Sequence, residues 1–273
     1  MKFARFGKVR FALTVCFGLG GFVQPILKAQ PAVSVEEIVR QTVAHSQQAG
    51  NRATRPAYTY TKVTLTTELD SEGHIKESKE RSYQVTFRDG ATCVKLVAVN
   101  GRAPGEAELK QLAEKEMNLQ QLFGPSKSAK SAKTESRETT LTPELAARFS
   151  FTLAATETIN GRRTYRVAFE SKSPAPPVHH VIDRVLNRLS GTLWIDAQEF
   201  EIARADIRLG SEVNLLGGVV GSLKKLAFTI NRTRVADGVW FSTSSNGDFE
   251  GRKLLDPKRI RTKSRSTNFQ PLA

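Results

Sequence analysis

The chain has 273 residues, a formal net charge of +14 and only two cysteines. That length suits one large β domain or two small ones, and the cysteine count excludes a disulfide framework as its source of stability. The basic excess favours anionic surfaces but does not identify one.

Met1 to Arg10 carries Lys2, Arg5, Lys8 and Arg10 with no acid, Phe11 to Val23 is apolar, and Leu27-Lys28-Ala29 supplies small-residue cleavage context. This is the pattern of a secretory signal peptide over residues 1–29, and it implies an exported, periplasmic protein. A membrane anchor wants about 20 apolar residues, and this core is shorter and broken by Gly18, Gly20 and Gly21. Leu13-Thr14-Val15-Cys16 comes near a lipoprotein cleavage box, but bulky Val15 and the apolar chain after Cys16 argue against lipid anchoring there. Setting aside the five basic residues of this leader lowers the net charge from +14 to +9 and leaves Cys93 as the sole thiol, expected to be buried and inert.

Val33 to Gln48 reads as a helix, with Ser34 and Glu37 as a capping box and Val35, Ile38, Val39, Thr42 and Val43 as its apolar stripe. Tyr58 to Leu69, Ile75 to Arg88 and Ala91 to Val99 alternate as strands, separated by Asp70-Ser71-Glu72-Gly73 and Asp89-Gly90 and stopped by Asn100-Gly101. Pro104 to Phe123 reads as a second helix with Leu109, Leu112, Leu119, Leu122 and Phe123 in its stripe, ended by Gly124-Pro125. The polar stretch that follows, with Lys127, Lys130, Lys133 and Arg137, is expected to be a mobile basic loop over 124–140. Thr142-Pro143-Glu144 opens a short helix through Arg148.

Strands resume with Phe149, Phe151 and Leu153, then Tyr165, Val167 and Phe169 after an Asn160-Gly161 turn. Leu193 and Ile195 share a face in the next strand. Its partner strand changes phase near Arg204, so Ala205, Ile207 and Leu209 alternate after it, which is the signature of a β-bulge. Leu226, Phe228 and Ile230 alternate in Lys225 to Val235, Asp237-Gly238 turns into Val239-Trp240-Phe241, and Pro257 to Phe269 is the last strand. About ten strands and three helices predict an α+β protein, one curved antiparallel sheet with helices over its concave face.

Little in the sequence offers catalysis. His179-His180 with Asp183 is read as a solvated loop tip, because adjacent strand positions face opposite ways and no ligand cluster accompanies them. There is no phosphate loop, G-x-S-x-G or HExxH, so neither an enzyme, a metal nor a cofactor is expected. Arg259, Arg261, Lys263 and Arg265 alternate, so on a strand they share a face. Aromatics for base stacking are absent there, which argues against nucleic acid. Such a ladder is either a solvated outer face protecting an edge strand or a contact for an anionic membrane surface.

The motifs Glu157-x-Ile159-Asn160-Gly161-Arg162, Leu186-Asn187-x-x-x-Gly191-Thr192-Leu193-Trp194-Ile195-Asp196 and Arg234-Val235-x-Asp237-Gly238-Val239-Trp240 resemble the LolA/LolB-like superfamily, and more closely exported bacterial outer-membrane lipoprotein-sorting proteins. The resemblance spans roughly Val33 to Phe269 and implies one LolA-like half-barrel domain over 30–273, an unclosed β-barrel whose helix-plugged cavity holds acyl chains. It implies a carrier of lipid or acylated protein in outer-membrane biogenesis, or an interaction module like the LolA-like domain of the periplasmic regulator RseB, binding lipid or a protein partner without transporting it. For a carrier, the inward strand residues Val63, Leu65, Tyr83, Val85, Phe87, Phe151, Tyr165, Val167, Phe169, Leu193, Ile195, Phe228 and Ile230 are candidate lining; otherwise they are simply core, packed solid against the helices. The helix bearing Leu109, Leu112, Leu119, Leu122 and Phe123 is the candidate lid.

Overall fold

The structure is a computed structural model and describes residues 33–51, 57–88, 91–123, 140–215, 221–253 and 256–272. The expected signal peptide, nearly all of the basic loop over 124–140 and most of the Gly-rich stretch after Leu215 lie outside these residues.

The described elements run α1 (Val35–Asn51), β1 (Tyr58–Leu69), β2 (Ile75–Arg88), β3 (Ala91–Val99), α2 (Glu106–Phe123), α3 (Pro143–Ala147), β4 (Phe149–Ile159), β5 (Arg162–Ser171), α4 (Val181–Leu186), β6 (Leu189–Asp196), β7 (Ile202–Leu209), β8 (Val213–Leu215), β9 (Gly221–Ala236), β10 (Val239–Lys253) and β11 (Asp256–Pro271). All strands join one antiparallel sheet in the order β3-β2-β1-β11-β10-β9-β7-β6-β5-β4, with β8 added beside β9. The sheet is not closed; β3 and β4 are its edges.

Turn chemistry explains the β4–β5 hairpin and the turn that ends β3. Asn160 and Gly161 adopt φ of 50° and 76°, and Asn100 and Gly101 adopt 49° and 77°, the pair of positive φ values that a tight type I′ turn requires. The phase change read near Arg204 is a bulge: Trp194 opposes Arg204 while Ile195 opposes Ile202, leaving Ala203 unpaired. Further register shifts interrupt β1, β2, β4 and β10, and each adds bend.

The sheet curls over its helices. α2 rests on β2 near its start and approaches α4, the link from β5 to β6, so this helix crosses the inner face of the sheet.

Two differences from the sequence reading concern the ends of the sheet. β11 is not an edge strand: it pairs with β1 on one side and β10 on the other, because the last strand returns to fill the gap between the two meanders. Cys93 is exposed. Its neighbours Val94 and Leu96 take the inward parity on edge strand β3, which turns Cys93 outward.

Candidate functional site

Residues directly opposite each other in an antiparallel pair share a face, so the registers define the inner surface without ambiguity. Tyr58, Tyr60 and Lys62 on β1 oppose Phe87, Val85 and Tyr83 on β2. Val85 and Tyr83 oppose Val94 and Leu96 on β3. Across the sheet, Ile230 and Phe228 oppose Ala205 and Ile207, Leu193 opposes Ala205 and Val167, Ile195 opposes Tyr165, and Phe169 opposes Phe151. The structure therefore brings Tyr83, Val85, Phe87, Phe151, Tyr165, Val167, Phe169, Leu193, Ile195, Phe228 and Ile230 onto one face.

Val63 and Leu65 are not on it. They oppose Arg265 and Lys263 on the outer face. Tyr58 and Tyr60 decide the parity of β1: both rings pack on Phe241, at 5.4 and 5.3 Å between centroids, and Tyr60 also packs on Phe269. Three aromatic contacts outweigh two aliphatic side chains, and the alternation then sends Val63 and Leu65 outward.

The inner face has two differently filled regions. Under α1 and α3 it is solid. Ile38 of α1 and Leu141 pack with Phe149, Val167, Phe169, Leu193, Ile195, Ile202 and Ala205, and Val35, Val39, Val43, Phe151 and Tyr165 surround them. Ser34 caps α1 by accepting from the Glu37 amide at 3.2 Å. The Glu37 carboxylate does not reach back; it is held by Arg40 and Gln41. Gly191 makes the packing possible: a Cβ there would lie 2.0 Å from the Asp206 carbonyl oxygen and 2.9 Å from the Phe169 ring.

Toward β2 and β3 the cover is α2, and the fit is loose. Glu108 fastens its start. The Gly105 amide donates to Glu108 Oε2 at 3.0 Å, with Lys79 at 3.7 Å and Arg102 at 3.8 Å from Oε1. That backbone donor first, with Arg102 and Lys79 adding to it, holds the Glu108 carboxyl below the usual carboxylate range against the opposing effect of burial. Between α2 and β2 lies a cavity of about 100 Å³ lined by Arg81, Tyr83, Glu108, Gln111 and Leu112. Between α2 and β3 lies a groove of about 570 Å³ lined by Val94, Lys95, Leu96, Val97, Pro104, Leu109, Leu112 and Ala113. Leu112 borders both. Of the expected lid residues, Leu109 and Leu112 face this groove. Leu119, Leu122 and Phe123 lie in α2, with side chains outside the described set.

The groove residues of β3 were not singled out in the sequence, although a signal was present. Val97-Ala98-Val99 is continuously apolar where alternation should give a polar position, and there the register slips between Ser82 and Tyr83.

Buried charge forms a second feature that sequence patterns missed. Arg232, 1% exposed, donates to Glu201 Oε2 at 2.6 Å and to the Ile202 and Trp240 carbonyls. His45 Nδ1 of α1 lies 3.3 Å from Glu201 Oε1. Burial pushes the Glu201 carboxyl up, but His45 and the Arg232 guanidinium outweigh it and bring it down to about 2. At the β6–β7 turn, Glu199 accepts from Arg234 Nε and Trp240 Nε1, each at 2.6 Å, and Asp196 accepts two bonds from Arg162 at 2.6 and 2.8 Å. Arg162, Asp196, Arg234 and Trp240 belong to the motifs quoted above, and here, with Glu199, they hold hairpin ends together.

The His179-His180-Asp183 cluster is a structural cap rather than a solvated tip. Asp183 is buried, accepts from the His179 and His180 amides at 2.8 Å and pairs with Arg148 at 2.6 Å, fixing the start of α4. Among the described residues no group of three His, Cys, Asp or Glu side chains is placed to hold a metal. On the outer face Arg259 pairs with Glu250 at 3.4 Å and Arg261 with Asp248 at 3.1 Å. Lys263 and Arg265 are exposed on the same face and flank half-exposed Leu65.

Comparison with known proteins finds no matching family model and no matching curated protein. Solved structures do match. The chain is similar to a LolA superfamily protein from Nitrosomonas europaea, with 12% identity, 89% of this chain and 95% of that one covered, and a TM-score of 0.35. It is similar to a DUF1329 family protein from Desulfovibrio piger, with 10% identity, coverage of 85% and 92%, and a TM-score of 0.36. A third likeness is to an outer membrane lipoprotein-sorting protein domain from Vibrio parahaemolyticus, with 11% identity, coverage of 86% and 94%, and a TM-score of 0.32.

Proposed function

We propose that the chain is an exported, periplasmic carrier that takes up lipid or an acylated protein and shelters its acyl chain between α2 and the inner face of β2 and β3. The observation that supports this is the contrast between the two covers: α1 packs solidly, whereas α2 leaves a groove of about 570 Å³ with mainly aliphatic walls. That volume falls within the roughly 300–1,000 Å³ of ordinary ligand pockets. Removing an acyl chain from water there is favoured by about 25 cal/mol per Å² and needs no catalytic group. Release needs a cover that moves, and α2 is fastened at its start by Glu108 while Pro104 and Gly105 precede it.

The test is to purify the mature chain from a bacterial periplasm without detergent, extract it with organic solvent and weigh the extract by mass spectrometry. About one lipid per protein is the expected result. A clean extract that stays clean after incubation with lipid would overturn the carrier reading.

A second reading is favoured by the exposed edge of β3, where Val94 and Val97 are 36% and 39% exposed beside the groove. An interaction module would add a partner's extended segment to that edge. Saturable binding of an extended apolar peptide by a lipid-free chain would favour it.

A further inference from the structure

Lys62 lies on the inner face, where its neighbours across the strands are Tyr83 on β2 and Ser266 on β11. It is half-buried, and among the described residues no acid pairs with it. Of the other inner-face cations near α2, Lys79 has Glu108 at 3.7 Å, and Arg81 lines the cavity that Glu108 also borders. Burial pushes the Lys62 ammonium below the usual lysine range, with no compensating charge. A lone ammonium in such surroundings is costly unless an anion joins it.

Its position connects it to the groove. Leu96, Tyr83 and Lys62 form one row across three adjacent strands. Leu96 lines the 570 Å³ groove and Tyr83 the 100 Å³ cavity, and Lys62 is about 10 Å from Leu96 at two strand spacings. The lining also changes character at Lys62. On one side are Tyr58 and Tyr60 with Phe241 and Phe269. On the other, Thr64 and Ser264 share a hydrogen bond at 2.9 Å.

We infer that Lys62 is the headgroup site for an anionic single-chain amphiphile, its carboxylate or phosphate oxygen paired with Nζ and its tail passing Tyr83 and Leu96 into the groove. This rests on the carrier reading and adds a ligand class to it. It also explains why an unpaired cation stands on a surface that is otherwise apolar or neutral at that row.

The experiment uses the mature chain loaded with the uncharged probe phenylnaphthylamine, displaced in parallel by oleate, 1-oleoyl lysophosphatidate and oleyl alcohol. The expected result is that at least one anion displaces the probe at about a tenfold lower concentration than the alcohol. Preference for oleate identifies a carboxylate site, and preference for lysophosphatidate a phosphate site. In Lys62→Met the ratio of anion to alcohol falls to near one, and in Lys62→Arg it is kept. Met keeps the length of the stem and removes a costly charge, so this variant melts no lower than the wild type. Equal displacement by all three in the wild type, or a ratio kept in Lys62→Met, overturns the Lys62 site alone. A chain that binds neither the probe nor any amphiphile overturns the carrier reading and this site with it.

Discussion

Arg232 and Glu201 meet at 2.6 Å inside the protein, and His45 of α1 approaches the same carboxylate at 3.3 Å. One ion pair thus ties β9 to the start of β7 and fastens the solid helical cover to the sheet. Removing one partner leaves the other charge buried and uncompensated, which costs about 3–5 kcal/mol. Glu201→Gln and Arg232→Met should therefore each lower stability by that order in urea unfolding. The double variant should lose much less than the sum of the two.

The same carboxylate gives a pH dependence of defined sign. Glu201 titrates at about 2 in the folded chain, against an ordinary value of 4.5. Its stabilisation is fully present above pH 4.5 and is lost as pH falls from 4.5 toward 2. The shift corresponds to roughly 3 kcal/mol. Thermal melts between pH 7 and pH 3 should show a decline that is shallower in Glu201→Gln. A parallel decline would refute this assignment.

Leu112 separates the cavity against β2 from the groove against β3. Leu112→Ala should merge them and admit a bulkier acyl chain. Leu112→Trp should fill the space and weaken displacement of a fluorescent lipid about tenfold or more. Calorimetric titration of both variants with one lipid checks the pair, and equal affinities would count against α2 as the cover of the ligand.

Gly247 faces inward between three side chains: an added Cβ would lie 2.6 Å from the Phe249 ring, 2.7 Å from Thr262 Oγ1 and 2.9 Å from Phe228. Two of those neighbours are rings with little room to retreat. Gly247→Ala should destabilise the chain by about 1–3 kcal/mol through overpacking, read from its urea midpoint at unchanged slope.

On the outer face, Lys263 and Arg265 stand free of the acids that engage Arg259 and Arg261. If this face meets anionic lipid, each contributes about 1 kcal/mol. Lys263→Glu with Arg265→Glu should then abolish sedimentation with phosphatidylglycerol vesicles, and moderate salt should weaken the wild-type interaction. Equal sedimentation of both proteins would exclude the ladder as a membrane contact.

Strands, turns and most inward positions were legible because alternation and Asn-Gly turns are local signals. Ile38 and Thr42 of the α1 stripe are buried as their spacing required. The misreadings arose where distant groups decided the outcome. Val63 and Leu65 face outward because Phe241 and Phe269 claim the other parity of β1. Asp183 looked like part of a loop because its partner Arg148 lies 35 positions away. The groove was hidden because it depends on how loosely α2 sits on β3, which no spacing within either element encodes.

The place of β11 bears on how the protein is made. β1 forms early in the chain, yet Thr64 finds Ser264 across 200 positions, and β10 needs the same strand on its other side. Until β11 has emerged, the first meander and the second are separate half-sheets with an open seam. Closing so distant a contact is slow, and the unpaired seam is open to aggregation meanwhile. A chain crossing a membrane unfolded would complete its sheet only after its last strand had arrived, so assembly of the apolar inner face is deferred to the far side.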